Sequence, residues 1–317
     1  VLTCCYGARR FGVRSAMPMG RALRLCPEAA VIRPDMEKYR RESQRIGALM
    51  REAAPVVEPV SIDEAYLDLG AAGADEPPAR TLARLALRIE RRVGVTVSIG
   101  LGPNKMLAKL ASDLGKPRGF HVIGAAEAAA VLGPMKLAVL PGIGPVMAQK
   151  LEALGYATIA DLRRAKEDEM IHRFGRWGRR LKAYAEGEDK RRVGAGRAQR
   201  ISVGAETTFA RDLSAYAEIE AELARLCERV AERLAGAGLA ATGLTLKLRR
   251  ADWRTITRAC RVRDPTMRAA TILGAVQPVL ARELDGAAFR LVGVSAHDLV
   301  PGRRADPPDL FGGEPAP

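Results

Sequence analysis

Apolar residues recur along this chain with two different periods, and the changes of period divide it into blocks. The last third is the most regular. From Ser214, an N-cap residue by type, Tyr216, Ile219, Leu223, Leu226, Val230 and Leu234 follow at three- and four-residue steps, one apolar helix face. Over 243–250 the period drops to two: Leu244, Leu246 and Leu248 alternate with Thr245, Lys247 and Arg249, the pattern of a half-buried strand. Ala251-Asp252-Trp253 reads as a turn, and a second, basic strand follows over 254–263. A strand at 202–209, a helix over about 266–284 and a last strand at 289–296 complete the order β-α-β-β-α-β, the ferredoxin-like arrangement.

Residues 36–123 repeat most of that order. The pattern predicts a helix over 36–53, with Ile46, Leu49 and Met50 on its apolar side, and then two strands that meet around Asp63-Glu64. A helix over 78–93 follows, carrying Leu82, Leu85, Ile89 and Val93 at helical spacing, then a strand at 95–100. The order is α-β-β-α-β, the same unit without its first strand, so a strand upstream of Val1 is expected to complete the sheet. Between the two units, 124–187 reads as a small helical segment. It contains Pro141-Gly142-Ile143-Gly144-Pro145 ahead of a helix over 146–154. The charged stretch 188–200 has few apolar anchors and reads as a linker, and 299–317 as a proline-rich flexible tail. The fold class expected is α+β.

Charge changes the picture. The chain carries 51 Lys and Arg against 37 Asp and Glu, a net +14, which points to a polyanionic partner and to nucleic acid first. The excess is spread as about +5 over residues 1–60, +4 over 61–190 and +6 over 191–300, which fits a long tracked surface better than one polybasic tail. Aromatics are only 4% of residues, which argues against gripping single strands by base stacking. The five cysteines show no CxxC spacing, so neither a zinc site nor a disulfide framework is indicated, and a cytoplasmic location is expected. No apolar run is long enough to span a membrane, and no membrane partner is expected.

Asp63 and Glu64, inside Val60-Ser61-Ile62-Asp63-Glu64-Ala65-Tyr66-Leu67-Asp68-Leu69, set two carboxylates between apolar strand-like runs. Bound Mg²⁺ would relieve their repulsion, since Mg²⁺ prefers a few carboxylates plus phosphate oxygens; a polar hairpin turn is the plainer account of the pair. A third carboxylate is expected nearby. Asp68 is near in sequence, but five residues along a strand place it on the opposite face. Tyr6, Arg9 and Arg10 offer a phenol and two guanidiniums suited to phosphate, or a solvated basic turn. Lys105 and Lys116, at the two ends of a helix over 106–114, could meet a triphosphate or simply be cationic helix ends. Gly142 and Gly144, followed by Lys150, resemble a helix-hairpin-helix that brings backbone N–H groups to a DNA phosphate. The ribbon 244–263 carries Lys247, Arg249, Arg250, Arg254, Arg258, Arg261 and Arg263 against the single acid Asp252, which favours a nucleic-acid groove over a solvated face.

Together these residues resemble the Y-family DNA polymerases, in the bacterial DNA polymerase IV-like branch. The resemblance rests on the runs 6–18, 61–68, 103–109, 111–113, 116–117 and 141–144, in order, and covers nearly the whole chain. It implies fingers over 1–35, a palm over 36–123, a thumb over 124–187 and a DNA-binding little finger over 201–298. It implies that Asp63 and Glu64 ligate two catalytic Mg²⁺, and that Tyr6, Arg9 and Lys116 contact the incoming deoxynucleoside triphosphate. Primed template DNA would be gripped by Gly142, Gly144 and Lys150 and by Lys247, Arg249 and Arg261. Asp309-Leu310-Phe311 resembles the end of a peptide that binds the replicative sliding clamp. The implied activity is error-prone translesion synthesis without proofreading, by a monomer. The family's first strand, with its first catalytic aspartate, does not precede Val1 in this sequence, which leaves a non-catalytic DNA-binding accessory protein of the damage response as the alternative. A nucleotide cyclase, which can use paired acids on a similar palm, is disfavoured by the hairpin and the second basic unit.

Overall fold

Short, interrupted strands characterise the first of two units, Val1–Arg197 and Ala198–Pro317, into which the chain divides in a computed structural model that describes residues 1–70, 76–194 and 200–306. Tyr6–Arg10 (α1) and Met19–Leu25 (α2) precede the long helix Met36–Ala53 (α3), whose N-terminus is capped by the Asp35 carboxylate accepting from Lys38 N–H. Val56–Pro59 (β1) and Ala65–Asp68 (β2) pair antiparallel, with Val56 opposite Asp68 and Pro59 opposite Ala65, so residues 60–64 form the connection. Pro78–Val93 (α4) buries Leu82, Leu85 and Ile89 against Leu49 of α3, the positions that the three- and four-residue spacing marked.

The strand expected at 95–100 is realised only as Ile99–Leu101 (β3). It pairs in parallel with Phe120–Val122 (β4) across the helix Lys105–Leu114 (α5). The pattern did not announce β4, because its three residues are all exposed and show no alternation. At Gly100 a Cβ would stand 2.0 Å from the Ala108 carbonyl oxygen, so only glycine lets α5 lie this close to β3. The pairs β1–β2 and β3–β4 are not hydrogen-bonded to each other. Leu67 and Leu69 from the first pair, and Val97, Ile99 and Leu101 from the second, nevertheless pack on the same α3–α4 cluster.

The helices Ala128–Leu132 (α6), Pro145–Ala153 (α7), Ile159–Arg164 (α8), Glu167–Phe174 (α9) and Arg176–Ala185 (α10) follow. Their core includes Leu132, Leu151, Leu162, Met170, Leu181 and Tyr184, and it also takes in Met106, Leu107 and Leu110 of α5. Part of the expected linker is anchored rather than free. Asp189 pairs with Arg191 at 2.6 Å, and Gly194 N–H donates to Glu58 at 2.8 Å.

The second unit turns the two-residue period into four long strands: Ser202–Leu213 (β5), Leu239–Arg250 (β6), Thr255–Thr266 (β7) and Phe289–Pro301 (β8). Tyr216–Ala237 (α11) links β5 to β6, and Ala269–Glu283 (α12) links β7 to β8. The sheet order is β5-β8-β6-β7 with every neighbouring pair antiparallel. Each helix crossover therefore skips one strand, β8 lying between β5 and β6 and β6 between β7 and β8, which gives two interlocked split β-α-β units, the ferredoxin-like element order. Ile219, Leu223, Val230, Leu244, Leu246, Val276, Leu280, Val292 and Val294 form one core between the helices and one face of the sheet.

Ser214 is not the cap of α11. β5 runs on to the buried Leu213, the cap position falls on Ala215, and no side chain caps the helix. β8 likewise continues to Pro301, and Asp306 accepts from Thr266 Oγ1 at 2.6 Å, so the ordered chain extends past the expected boundary at 298. The proposed clamp peptide, Asp309, Leu310 and Phe311, lies outside the described residues.

Candidate active site and nucleic-acid interface

Asp63 and Glu64 stand on the turn between β1 and β2, both exposed. Val60 N–H and Ser61 N–H donate to the Glu64 carbonyl at 2.9 and 3.2 Å, closing the turn, and Ser61 Oγ donates to Asp63 Oδ1 at 2.5 Å. Glu64 Oε1 accepts from Lys109 Nζ of α5 at 2.7 Å. Burial works to lower the Lys109 pKa, but the hydrogen bond to Glu64 and the charges of Asp113 and Glu64 outweigh it, so the ammonium is held above its usual range. Lys116 lies beside the same helix end, its Nζ 2.6 Å from Asp113 Oδ1.

The donors at this turn are carboxylate oxygens, which suit a hard divalent cation. Among the described residues no group of three His, Cys, Asp or Glu comes together as a metal site. Asp68 sits at the other end of the hairpin, opposite Val56, and accepts from Gly70 N–H at 2.9 Å; Asp63 lies on the turn and not in a strand, so the length of β2 and not the pleat separates the two.

Tyr6 and Arg9 share α1, with the Arg9 guanidinium 5.4 Å from the centre of the Tyr6 ring. Arg9 Nε is buried without a hydrogen-bond partner, a donor still to be satisfied. Among the described residues no hydrogen bond or ion pair joins α1 to the 60–64 turn or to Lys116. Lys105 does not face a triphosphate: only 6% of its side chain is exposed, it pairs with Glu58 of β1, and its Nζ lies 5.4 Å from the centre of the Tyr66 ring. Burial alone would raise the Glu58 pKa. The Lys105 hydrogen bond, the Gly194 N–H and the charges of Lys105 and Arg191 reverse that and hold it below the usual carboxylate range.

In the helical part, Gly142 adopts φ +89°, and Gly144 caps α7 ahead of Pro145. Pro145 lacks an N–H, so the unpaired donors of this helix start are those of Gly144, Val146 and Met147. Lys150 is exposed in the last turn of α7. The element before the hairpin is a single 3₁₀ turn, Leu137–Val139.

The pleat sorts the arginines of the β6–β7 ribbon. Across the sheet, Glu206, Gly293, Lys247 and Thr257 form one row on the face away from the helices, and Gly204, Ser295, Thr245 and Ala259 form the next. Arg249 and Arg261 share that face, Arg249 in a row with Thr208, Leu291 and Thr255 and Arg261 in a row with Gly243 and His297. Arg258 instead reaches Glu283 of α12 at 2.7 Å, and Arg250 reaches Asp285 at 2.7 Å. Within the open face, Lys247 pairs with Glu206 at 2.7 Å and Arg261 with Asp298 at 2.6 Å, while Arg249 donates to Thr255 Oγ1 at 3.1 Å.

A family model described as the impB/mucB/samB family matches residues 1–113, and one for the C-terminal domain of that family matches residues 200–307. DNA polymerase IV of Brucella melitensis biotype 1 is 45% identical over 314 residues, covering 98% of this chain and 70% of the relative. The chain belongs to the Y-family DNA polymerases, in the DNA polymerase IV branch. DNA polymerase IV of Caulobacter vibrioides supports the same Y-family placement at 42% identity, covering 99% of this chain and 78% of the relative. The fold agrees with Y-family structures. A Y-family DNA polymerase chimera, Dbh-Dpo4(243-245)-Dbh, superposes with a TM-score of 0.84 at 24% identity, covering 93% of this chain and 86% of its own. An insertion ternary complex of Dbh DNA polymerase matches with a TM-score of 0.62 at 24% identity, covering the same shares.

The geometry brings forward two residues of this Y-family chain, Lys109 and Asp113, which lie in the runs that carry the resemblance but to which the sequence assigned no role. The available signal was their spacing: Lys109 and Asp113 are four apart and Lys116 three further on, the separations at which helix side chains meet. Among the described residues no helix is long and apolar enough to cross a membrane.

Proposed function

We propose that this chain synthesises DNA on damaged templates, with low fidelity and without proofreading, by two-metal nucleotidyl transfer at the 60–64 turn. The observation that carries the reading is the adjacent, exposed pair Asp63-Glu64 on a turn closed by backbone hydrogen bonds, in a chain of this family. Asp63 and Glu64 would hold two Mg²⁺, which supply activation of the primer hydroxyl and charge stabilisation of the leaving pyrophosphate. Ser61 steadies the Asp63 carboxylate by its hydroxyl hydrogen bond. Tyr6, Arg9 and Lys116 receive the triphosphate of the incoming nucleotide; the partnerless Arg9 Nε suits an anion. The N-terminus of α7 behind Gly142 and Gly144, with Lys150, and the open face with Lys247, Arg249 and Arg261, hold primed duplex by its phosphates and position it without reading sequence. The chain works as a monomer in the cytoplasm, and Asp309-Leu310-Phe311 tethers it to the sliding clamp.

The pairs β1–β2 and β3–β4 expose unbonded edges over one helical layer, the arrangement of a sheet that takes one more strand between them. Polypeptide upstream of Val1 would supply that strand and the third carboxylate. The two-carboxylate set of the described residues favours a second reading, a DNA-binding accessory protein without catalysis. Primer extension with Mg²⁺ by this chain, and by the same chain extended upstream in frame, decides between them. Extension that Asp63→Ala or Glu64→Ala abolishes supports the polymerase; tight binding of primed DNA without extension at either length supports the accessory protein.

A further inference from the structure

The geometry points to Lys109 and Asp113 as positioning residues that couple nucleotide binding to metal binding, through a ladder of alternating charge, Glu64–Lys109–Asp113–Lys116. This rests on the assignment of Glu64 to metal and of Lys116 to triphosphate. Lys109 Nζ is 2.7 Å from Glu64 Oε1 and 3.4 Å from Asp113, and Asp113 Oδ1 is 2.6 Å from Lys116 Nζ. α5 carries Lys109 and Asp113 one turn apart, and Lys116 follows just beyond its last residue, Leu114. Both carboxylates and both ammoniums are between 30% and 45% exposed, so each can change partner without opening the core.

The pairs leave each ammonium already occupied. Lys116 is held by Asp113, and Lys109 is shared unequally, with its short contact on Glu64. When a triphosphate takes Lys116, Asp113 loses its close cation and becomes the better partner for Lys109. Lys109 then moves toward Asp113, and Glu64 is released to accept a divalent cation. The coupling is reciprocal by linkage: a cation on Glu64 displaces Lys109 toward Asp113 and loosens the hold of Asp113 on Lys116. No covalent step is involved, and the side chains need only exchange partners already within reach. The ladder would keep the cation site masked until a nucleotide is present.

The test measures binding, separately from turnover. Ca²⁺ is titrated calorimetrically into the full polypeptide on a dideoxy-terminated primer-template with the matching deoxynucleoside triphosphate. Lys109→Met unmasks Glu64 and is expected to lower the Ca²⁺ midpoint about threefold, the scale of a part-exposed ion pair. Asp113→Asn removes the alternative partner of Lys109 and is expected to raise the midpoint by a similar factor. In the Lys109→Met background, Asp113→Asn is expected to change nothing further, because both act through one ammonium. Midpoints that do not move, that move in the same direction, or that add independently overturn the ladder. If Asp63→Ala leaves the Ca²⁺ midpoint unchanged, the metal-site assignment itself fails and the ladder with it. If Asp63→Ala abolishes binding while the ladder variants do nothing, the site stands and only the ladder is lost.

Discussion

The two units present charge in opposite ways. In the first, two acids ride a short turn between four-residue strands, in a sheet divided into two pairs, and a cation from a separate helix holds one of them. In the second, cations stand on strands of twelve residues whose ladders shift register only near their ends and whose other face is sealed by two helices. The first arrangement depends on single contacts, such as Ser61 on Asp63 and Lys109 on Glu64. The second depends on the sheet, which would carry any basic side chain at the right pleat position. On the proposed reading, the reaction centre would sit on the less regular part of the molecule and the backbone-gripping surface on the more regular part.

The sharpest way to break this contrast is to remove a carboxylate from the turn. Asp63→Ala is expected to reduce nucleotide incorporation about a thousandfold, since a bound cation is worth several kcal/mol of transition-state stabilisation. Its affinity for primed DNA, measured by fluorescence anisotropy, should stay within about twofold. A parallel fall in DNA affinity would mean that the turn also belongs to the gripping surface, and the two roles would no longer separate by unit.

Packing offers a second test. Leu246 is 1% exposed in the core of the second unit, whereas Leu67 of β2 is only partly buried. Leu246→Ala is expected to cost about 3 kcal/mol and Leu67→Ala about 1 kcal/mol, read from chemical denaturation. Equal costs would show that the divided sheet is packed as tightly as the continuous one.

This difference also decided how much could be read from the sequence. The alternation of Leu244, Leu246 and Leu248 announced β6, and the spacing from Ile219 to Leu234 announced α11, because both elements bury one face against a single core. The bounds of α3 and α4 were legible for the same reason. β4 was not, since three exposed residues carry no period. At the site, the adjacency of Asp63 and Glu64 was visible as a chemical oddity, but Lys105 and Lys116 looked alike. As helix ends they differ only by packing, which buries Lys105 against Glu58 and leaves Lys116 at the surface; the family resemblance had marked Lys116 alone. The alternation of β6 already set Lys247 and Arg249 opposite the leucines, but on β7 only the register showed that Arg258 turns toward α12.

The open face can be tested through salt. Replacing Lys247, Arg249 and Arg261 together by alanine is expected to weaken binding of primed duplex about tenfold at low salt. The slope of log affinity against log salt should fall by up to about three, one per lost phosphate contact. The change should be the same for any duplex sequence. Because Glu206 and Asp298 already partner two of these cations, Glu206→Gln should act oppositely and raise affinity at low salt. Replacing Arg258, which points to Glu283, should leave the slope unchanged.

The smallest expected effect concerns the seam between β1, α5 and the stretch that carries Asp189, Arg191 and Gly194. The Glu58 carboxyl is held below its usual range by Lys105 and by the Gly194 N–H, so its charged form is favoured in the folded chain. A depressed carboxyl pKa contributes stability above the unfolded value of about 4.3 and loses that contribution as pH falls through the lower folded value. Glu58→Gln keeps an oxygen for Lys105 but removes the charge, and is expected to cost about 1 kcal/mol at neutral pH. Denaturation midpoints of the two proteins should therefore differ at pH 7 and converge as the pH drops below the ordinary carboxylate range. A difference that persists unchanged into acid would mean that Glu58 acts by packing alone. The first half of the linker would then be tied to β1 by shape rather than by charge.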